Sequence, residues 1–135
     1  MMKRFLAALA AATISLALYA LPAPAANIAL DGSLSGLCGT ATGTSNASTL
    51  ANKCGVITTE SATTAAGATF TETVTDTVVA ATDLCFASVS TGGTGTPAVT
   101  KVTPGSGSLV VVVQNIHASA AFNNTLAISY LCIKP

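Results

Sequence analysis

The side chains of this sequence that could carry acid–base chemistry are few: one histidine, His117, and five carboxylates, Asp31, Glu60, Glu72, Asp76 and Asp83. Nucleophilic catalysis of the Ser-His-Asp kind needs a serine on a strained turn beside its base. Gly32-Ser33-Leu34-Ser35-Gly36 has the outline of such a turn, but Leu34 stands where the serine must be. His117 falls where an apolar run, Ser108 to Ile116, breaks into Ala118-Ser119-Ala120-Ala121. Its expected role is structural, bonding backbone at the break or lying at a subunit seam; near-neutral titration would also suit a pH-sensing contact. Glu72 and Asp76 share one face of a strand at a spacing of roughly 13 Å, too far for a glycosidase pair, which needs about 5–9.5 Å. They are expected to guard an exposed edge or to be solvated. Glu60 follows two threonines and is expected to bond back to backbone or cap a turn. Ser90 to Thr96, STGGTGT, is rich in glycine, but no Lys-Ser/Thr follows and no helix opens after it, so a phosphate-binding loop is not expected. No catalytic residue, cofactor or metal site is expected.

Four cysteines, Cys38, Cys54, Cys85 and Cys132, remain. No C-x-x-C occurs and His117 is the sole imidazole, so a zinc site is poorly supplied. An even count behind an export signal suggests disulfides. Of the three pairings, Cys38–Cys54 with Cys85–Cys132 is favoured. The first would staple a Gly/Thr/Ser-rich loop, and the second would tie two apolar strands far apart in sequence. By loop-closure entropy each would contribute roughly 3–4 kcal/mol.

The elements that must hold these residues begin with a segment outside the fold. Lys3 and Arg4 precede an uncharged apolar run, Phe5 to Leu21, and then Ala23 and Ala25 in the small-residue positions of a cleavage site. That order reads as a secretory signal peptide, expected over residues 1–25 as a helix, with a retained membrane anchor as the alternative. Cleavage leaves one domain of about 110 residues. It carries Lys53, Lys101 and Lys134 against five carboxylates, a net charge of −2. That balance gives no footprint for nucleic acid, and membrane contact is expected only through an uncleaved leader.

Residues 26–54 form a low-complexity leader, expected as loop with one short helix capped by Ser45 or Asn46, running through Leu50 and Ala51, and stopped at Gly55. Residues 55–135 are a β-rich domain. Threonines at 69, 71, 73, 75 and 77 alternate with Phe70, Val74 and Val78 on the other face of one strand. In a second strand Cys85, Ala87 and Val89 face one way, Leu84 and Phe86 the other. Pro104-Gly105 suits a type II turn and Asn123-Asn124 a tight hairpin. The valine run at 110–113 belongs in a central strand. Six or so short strands without a long amphipathic helix predict an all-β fold, an antiparallel, jelly-roll-like β-sandwich. Phe70, Phe86, Phe122 and Tyr130 are its expected aromatic core.

Gly55 to Asp83 and Gly95 to Ser129 resemble a module of phage and prophage structural proteins. The resemblance rests on G-x-I-T-T-E at Gly55–Glu60, TTAAGAT at Thr63–Thr69, TPGSGS at Thr103–Ser108 and NIHASAAFN at Asn115–Asn123. It covers roughly the last 80 residues. It implies a β-rich, oligomeric virion or fibre-type module without enzymatic role. The combined expectation is a non-enzymatic, disulfide-stapled structural or surface module, exported or virion-associated. Its expected partners are further copies of itself and a surface or virion component. A glycan- or ligand-binding module is the alternative, which an exposed Phe122 or Tyr130 beside a groove would favour.

Overall fold

Side chains branched at Cβ on alternating positions give the chain its strands. The computed structural model describes residues 38–91 and 93–135. The expected signal segment and residues 26–37 lie outside the described residues. The strands are β1 (Cys38–Thr42), β2 (Ala47–Thr49), β3 (Cys54–Thr58), β4 (Ala62–Thr64), β5 (Thr69–Thr75), β6 (Leu84–Thr91), β7 (Pro97–Gly105), β8 (Ser108–Asn115), β9 (Phe122–Asn124) and β10 (Leu126–Ile133). The first sheet has the order β1-β3-β10-β6 and the second β2-β5-β8-β7, while β4 and β9 form a two-stranded ribbon. No helix occurs among the described residues.

The fold is all-β, and its core lies between the two large sheets. Ile57, Leu126, Ile128 and Tyr130 enter it from the first sheet, Phe70, Val74, Leu109, Val111 and Val113 from the second, and Phe122 from the ribbon. Complete burial of a side chain the size of Ile128 or Leu109 stabilises by about 1.5–3 kcal/mol. The valine run lies in β8, flanked by β5 and β7. Val111 and Val113 are fully buried, while Val110 and Val112 are half-buried on the outer face, among Thr71, Thr73 and Thr103 of the neighbouring strands. β7 is an edge strand, which suits its two prolines and the bulge between Val99 and Lys101.

Several expectations are corrected. Two pairings, β1 with β3 and β2 with β5, are parallel, so the sheets are mixed rather than antiparallel throughout. The expected helix near Ser45–Ala51 is a tight turn followed by β2. Ser45 (φ 53°) and Asn46 (φ 61°) take left-handed conformations, and Thr44 bridges to Ala47. The sheets therefore begin at Cys38, inside the segment expected as leader. Asn123 and Asn124 are not a turn but pair with Thr63 and Ala62 in the ribbon. Pro104 and Gly105 continue β7, and the loop is Ser106–Gly107, with Gly107 at φ 78°. Val78 is 43% exposed because β5 ends at Thr75; the turn that follows puts Val79 into the core instead. Phe86 is 55% exposed: Cys85 must face Cys132, and its neighbour then points outward.

The disulfides are Cys38–Cys54 and Cys85–Cys132, the favoured pairing. Both join residues directly opposite each other in the first sheet. The Cys132 amide donates to Lys53 O, on the β3 side, so Cys132 meets Cys85 as a non-hydrogen-bonded pair. Such pairs bring Cα atoms closest, about 4.5 Å, and the observed separation is 4.1 Å. Cys54 is also the partner of Leu131. The two staples thus sit on neighbouring rows at one end of the sheet.

Leu50, just after β2, plugs the two large sheets together. Its side chain lies over Gly39 and Gly55, which are register partners. A Cβ at Gly55 would stand 2.3 Å from Leu50 Cδ2 and 2.9 Å from Gly39 O. Gly55→Ala is therefore expected to lower stability by about 1–3 kcal/mol through overpacking. Urea denaturation checks this, and Leu50→Ala in the same background should recover part of the loss.

Candidate functional site

The pleat of β5 places Phe70, Glu72 and Val74 on its inner face, and Asp76, just past its end, continues the alternation; all four are buried, Glu72 and Asp76 with no exposed surface. This corrects the expectation that the two acids guard an edge or are solvated: β5 is an interior strand, between β2 and β8. The acids meet different surroundings. Asp76 Oδ1 accepts the Val78 amide at 3.0 Å, and Oδ2 accepts the Tyr130 hydroxyl at 2.9 Å. The same hydroxyl lies 2.9 Å from Asn52 O. This contact crosses the core from the end of β5 to β10. Burial, then the bond to and the charge of Asp76, hold the Tyr130 phenol well above the ordinary tyrosine value.

Glu72 has no such partner. Neither carboxylate oxygen makes a hydrogen bond, and neither does the neighbouring Ser48 Oγ, which is also buried. Burial, against a smaller opposing influence of Ser48, pushes the Glu72 carboxyl up, and the negative charge of Glu60 adds to the rise. Glu60 itself caps the neighbouring turn, as its sequence context suggested, accepting the Asn46 amide at 3.1 Å. Asp83 is pulled the other way. The Ala80 amide and the Lys53 ammonium both reach its Oδ2, and they hold its carboxyl below the usual range.

At the opposite end from the disulfides, Asn115 gathers four segments. Its Nδ2 donates to Thr64 O (3.0 Å) and Ala120 O (2.8 Å), and its Oδ1 accepts Thr96 N (3.1 Å) and His117 N (3.2 Å). His117 sits at the strand break as a backbone ligand, its Nδ1 accepting Ser119 N at 3.1 Å and Ala120 N at 2.8 Å. This is the arrangement expected of a structural histidine. The four sequence-selected residues are not brought into one constellation by their hydrogen bonds. His117 bonds Asn115 and backbone, Asp76 bonds Tyr130, Glu60 bonds the Asn46 amide, and Glu72 stands apart with its oxygens unpartnered. Asn115 and Tyr130 were not singled out as polar hubs; an asparagine closing a run of valines was the available signal. Among the described residues no three of His, Cys, Asp and Glu cluster as metal ligands. A shallow groove of about 310 Å³ lies on the outer face of the first sheet, lined by Phe86, Ala87, Ser88, Ser129, Tyr130 and Leu131.

Two titrations check these assignments. Tyr130 is the only tyrosine after residue 25, so the processed protein should show no phenolate absorbance as pH passes 10.0, the ordinary value, until it unfolds. Glu72 has a raised value in the fold, so its stabilising influence is complete below the ordinary 4.5 and is lost as pH rises through the raised value. In chelator-treated buffer Glu72→Gln should lack that loss and be at least as stable as the parent at pH 7. Paired urea melts at pH 4 and pH 7 measure the difference; the loss of Asp83's contribution occurs at lower pH, as protons reach its depressed carboxyl, and cancels in the comparison.

Two intramolecular disulfides are typical of proteins in oxidising compartments. In comparisons with known proteins, no protein family, no curated protein and no solved structure matches the chain.

Proposed function

We propose that this chain is an exported, non-enzymatic structural module that self-associates through the outer face of its first sheet, on a cell surface or a virion. The observation that carries the reading is the chemistry of that face. Leu84 and Phe86 are 56% and 55% exposed, and Val56 and Ile133 join them. The register places Thr40, Thr58, Ala127, Ser129, Leu131, Ser88 and Ser90 between and beside these residues, with no charged side chain within the strands of the face. Four strands of up to eight residues give a flat footprint of roughly 500 Å². Side-chain relief raises the accessible area toward the about 800 Å² per partner of a standard interface. A twofold contact of this face with itself repeats the sheet-on-sheet packing inside the domain. The apolar leader and the disulfides support export. The resemblance of Gly55–Asp83 and Gly95–Ser129 to virion modules supports an oligomeric, jelly-roll-like building block.

Phe86 favours a second reading. Phe122 and Tyr130 are buried, but Phe86 is an exposed ring beside the shallow groove, with Ser88 and Ser129 as hydroxyl neighbours. A ring and hydroxyls in a shallow groove are what a glycan-binding surface uses.

Light scattering of the processed protein should give a mass at least twice the roughly 11 kDa expected of one copy. The double variant Leu84→Lys, Phe86→Lys should be monomeric with little change in melting temperature. A parent protein that stays monomeric at high concentration would sink the self-association reading, and binding of a soluble glycan lost in Phe86→Ala would replace it with the second.

A further inference from the structure

We propose that Glu72, Ser48 and Glu60, beside the turn that starts at Gly43, form a binding site for a divalent cation with oxygen ligands, calcium above all. Glu72 is fully buried and both its carboxylate oxygens are without hydrogen bonds. A buried ionised carboxylate without a partner is costly, and native folds relieve that cost with a donor, a proton or a metal ion. Ser48, only 6% exposed, carries in its buried Oγ a further oxygen without a partner. Ser48 lies beside Glu72 and favours its charged form, so a hydroxyl and a carboxylate with no further partner stand together in the interior.

Glu60 supplies a second negative charge. It is close enough to Glu72 to act on its carboxyl, and its Oε1 is fixed by the Asn46 amide. A proton on Glu72 would answer one charge; a divalent cation answers both. Gly43 leaves the approach open, for a Cβ there would stand 2.7 Å from Glu72 Oε1. The turn is held rigidly enough to serve: Gly43 N donates to Thr58 O at 2.8 Å, and Thr44 and Ala47 bond each other. Every donor available is a carboxylate, hydroxyl or carbonyl oxygen, the set of a hard cation. Calcium takes six to eight such oxygens in adaptable geometry, so two carboxylates, one hydroxyl and waters suffice, while magnesium demands a stricter octahedron. The site is independent of whether the module self-associates.

Calcium chloride titrated into the purified, chelator-stripped protein, followed by calorimetry and by thermal unfolding, tests the proposal. The expected result is one site per chain with a dissociation constant in the range of extracellular modules, about 10⁻⁴–10⁻³ M. At a hundred times that constant the folded-to-unfolded ratio should rise about a hundredfold. Glu72→Gln should abolish both effects, and Glu60→Gln, a change at an exposed position, should weaken binding at least tenfold, with its calcium-induced stabilisation read against its own unliganded melt. Should Glu72→Gln fail to fold, Glu60→Gln and Ser48→Ala carry the test, and unchanged affinity in both overturns the site. Absence of calcium binding by the parent, or equal stabilisation of Glu72→Gln, also overturns it. Magnesium binding as tight as calcium would overturn the calcium assignment.

Discussion

The two-residue period of β5 is the constraint from which much of this architecture follows. Once Phe70 and Val74 face the core, Glu72 and Asp76 must face it too, and the fold has to accommodate two acids in its interior. Asp76 is accommodated by Tyr130, whose hydroxyl crosses from the other sheet. That bond fixes the two sheets in register against each other, a specificity that uniformly apolar facing surfaces would not provide. Glu72 is accommodated by the room that the glycine at 43 leaves and by the small hydroxyl side chain at 48. One strand therefore presents a satisfied acid and an unsatisfied one on the same face, and the difference between them separates structural polarity from candidate binding chemistry.

The core is small and has few aromatic rings, so polar bonds supplement it at both ends. Near the disulfides stand the Asp76–Tyr130 bond and the Lys53–Asp83 ion pair. At the other end Asn115 uses both donors and its acceptor to join the ends of β4 and β8, the segment before β7 and the turn before β9. A buried amide with every bond made rigidifies, whereas a partly satisfied one would cost more than an apolar residue. His117 extends the same network by capping the Ser119 and Ala120 amides.

Alternation and cysteine spacing were legible in the sequence; identities that depend on distant partners were not. Threonine on one face of residues 69–75, with Phe70 and Val74 on the other, gave the strand directly, and the Gly/Thr/Ser-rich loop and the two distant apolar strands favoured the disulfides that form. Ser45-Asn46 was ambiguous because the residues that cap helices also populate left-handed turns. Only the bridge between Thr44 and Ala47 and the pairing of β2 with β5 decide for the turn. The rule that carboxylates face water outweighed the pleat at Glu72 and Asp76, since Tyr130 lies far along the chain from its acid. Phe86 was assigned to the core on hydrophobicity, and the register set by Cys85 reversed it.

The placement of the staples has a mechanical side. β1, the first strand described, begins at Cys38, and β10, the last, ends just after Cys132, on adjacent rows at the same end of one sheet. Tension entering through either strand is handed to a covalent bond before it can unzip a ladder of hydrogen bonds. A domain clamped in this way is covalently reinforced at one pole, while the ribbon and the Gly43 and Glu60 turns lie at the other.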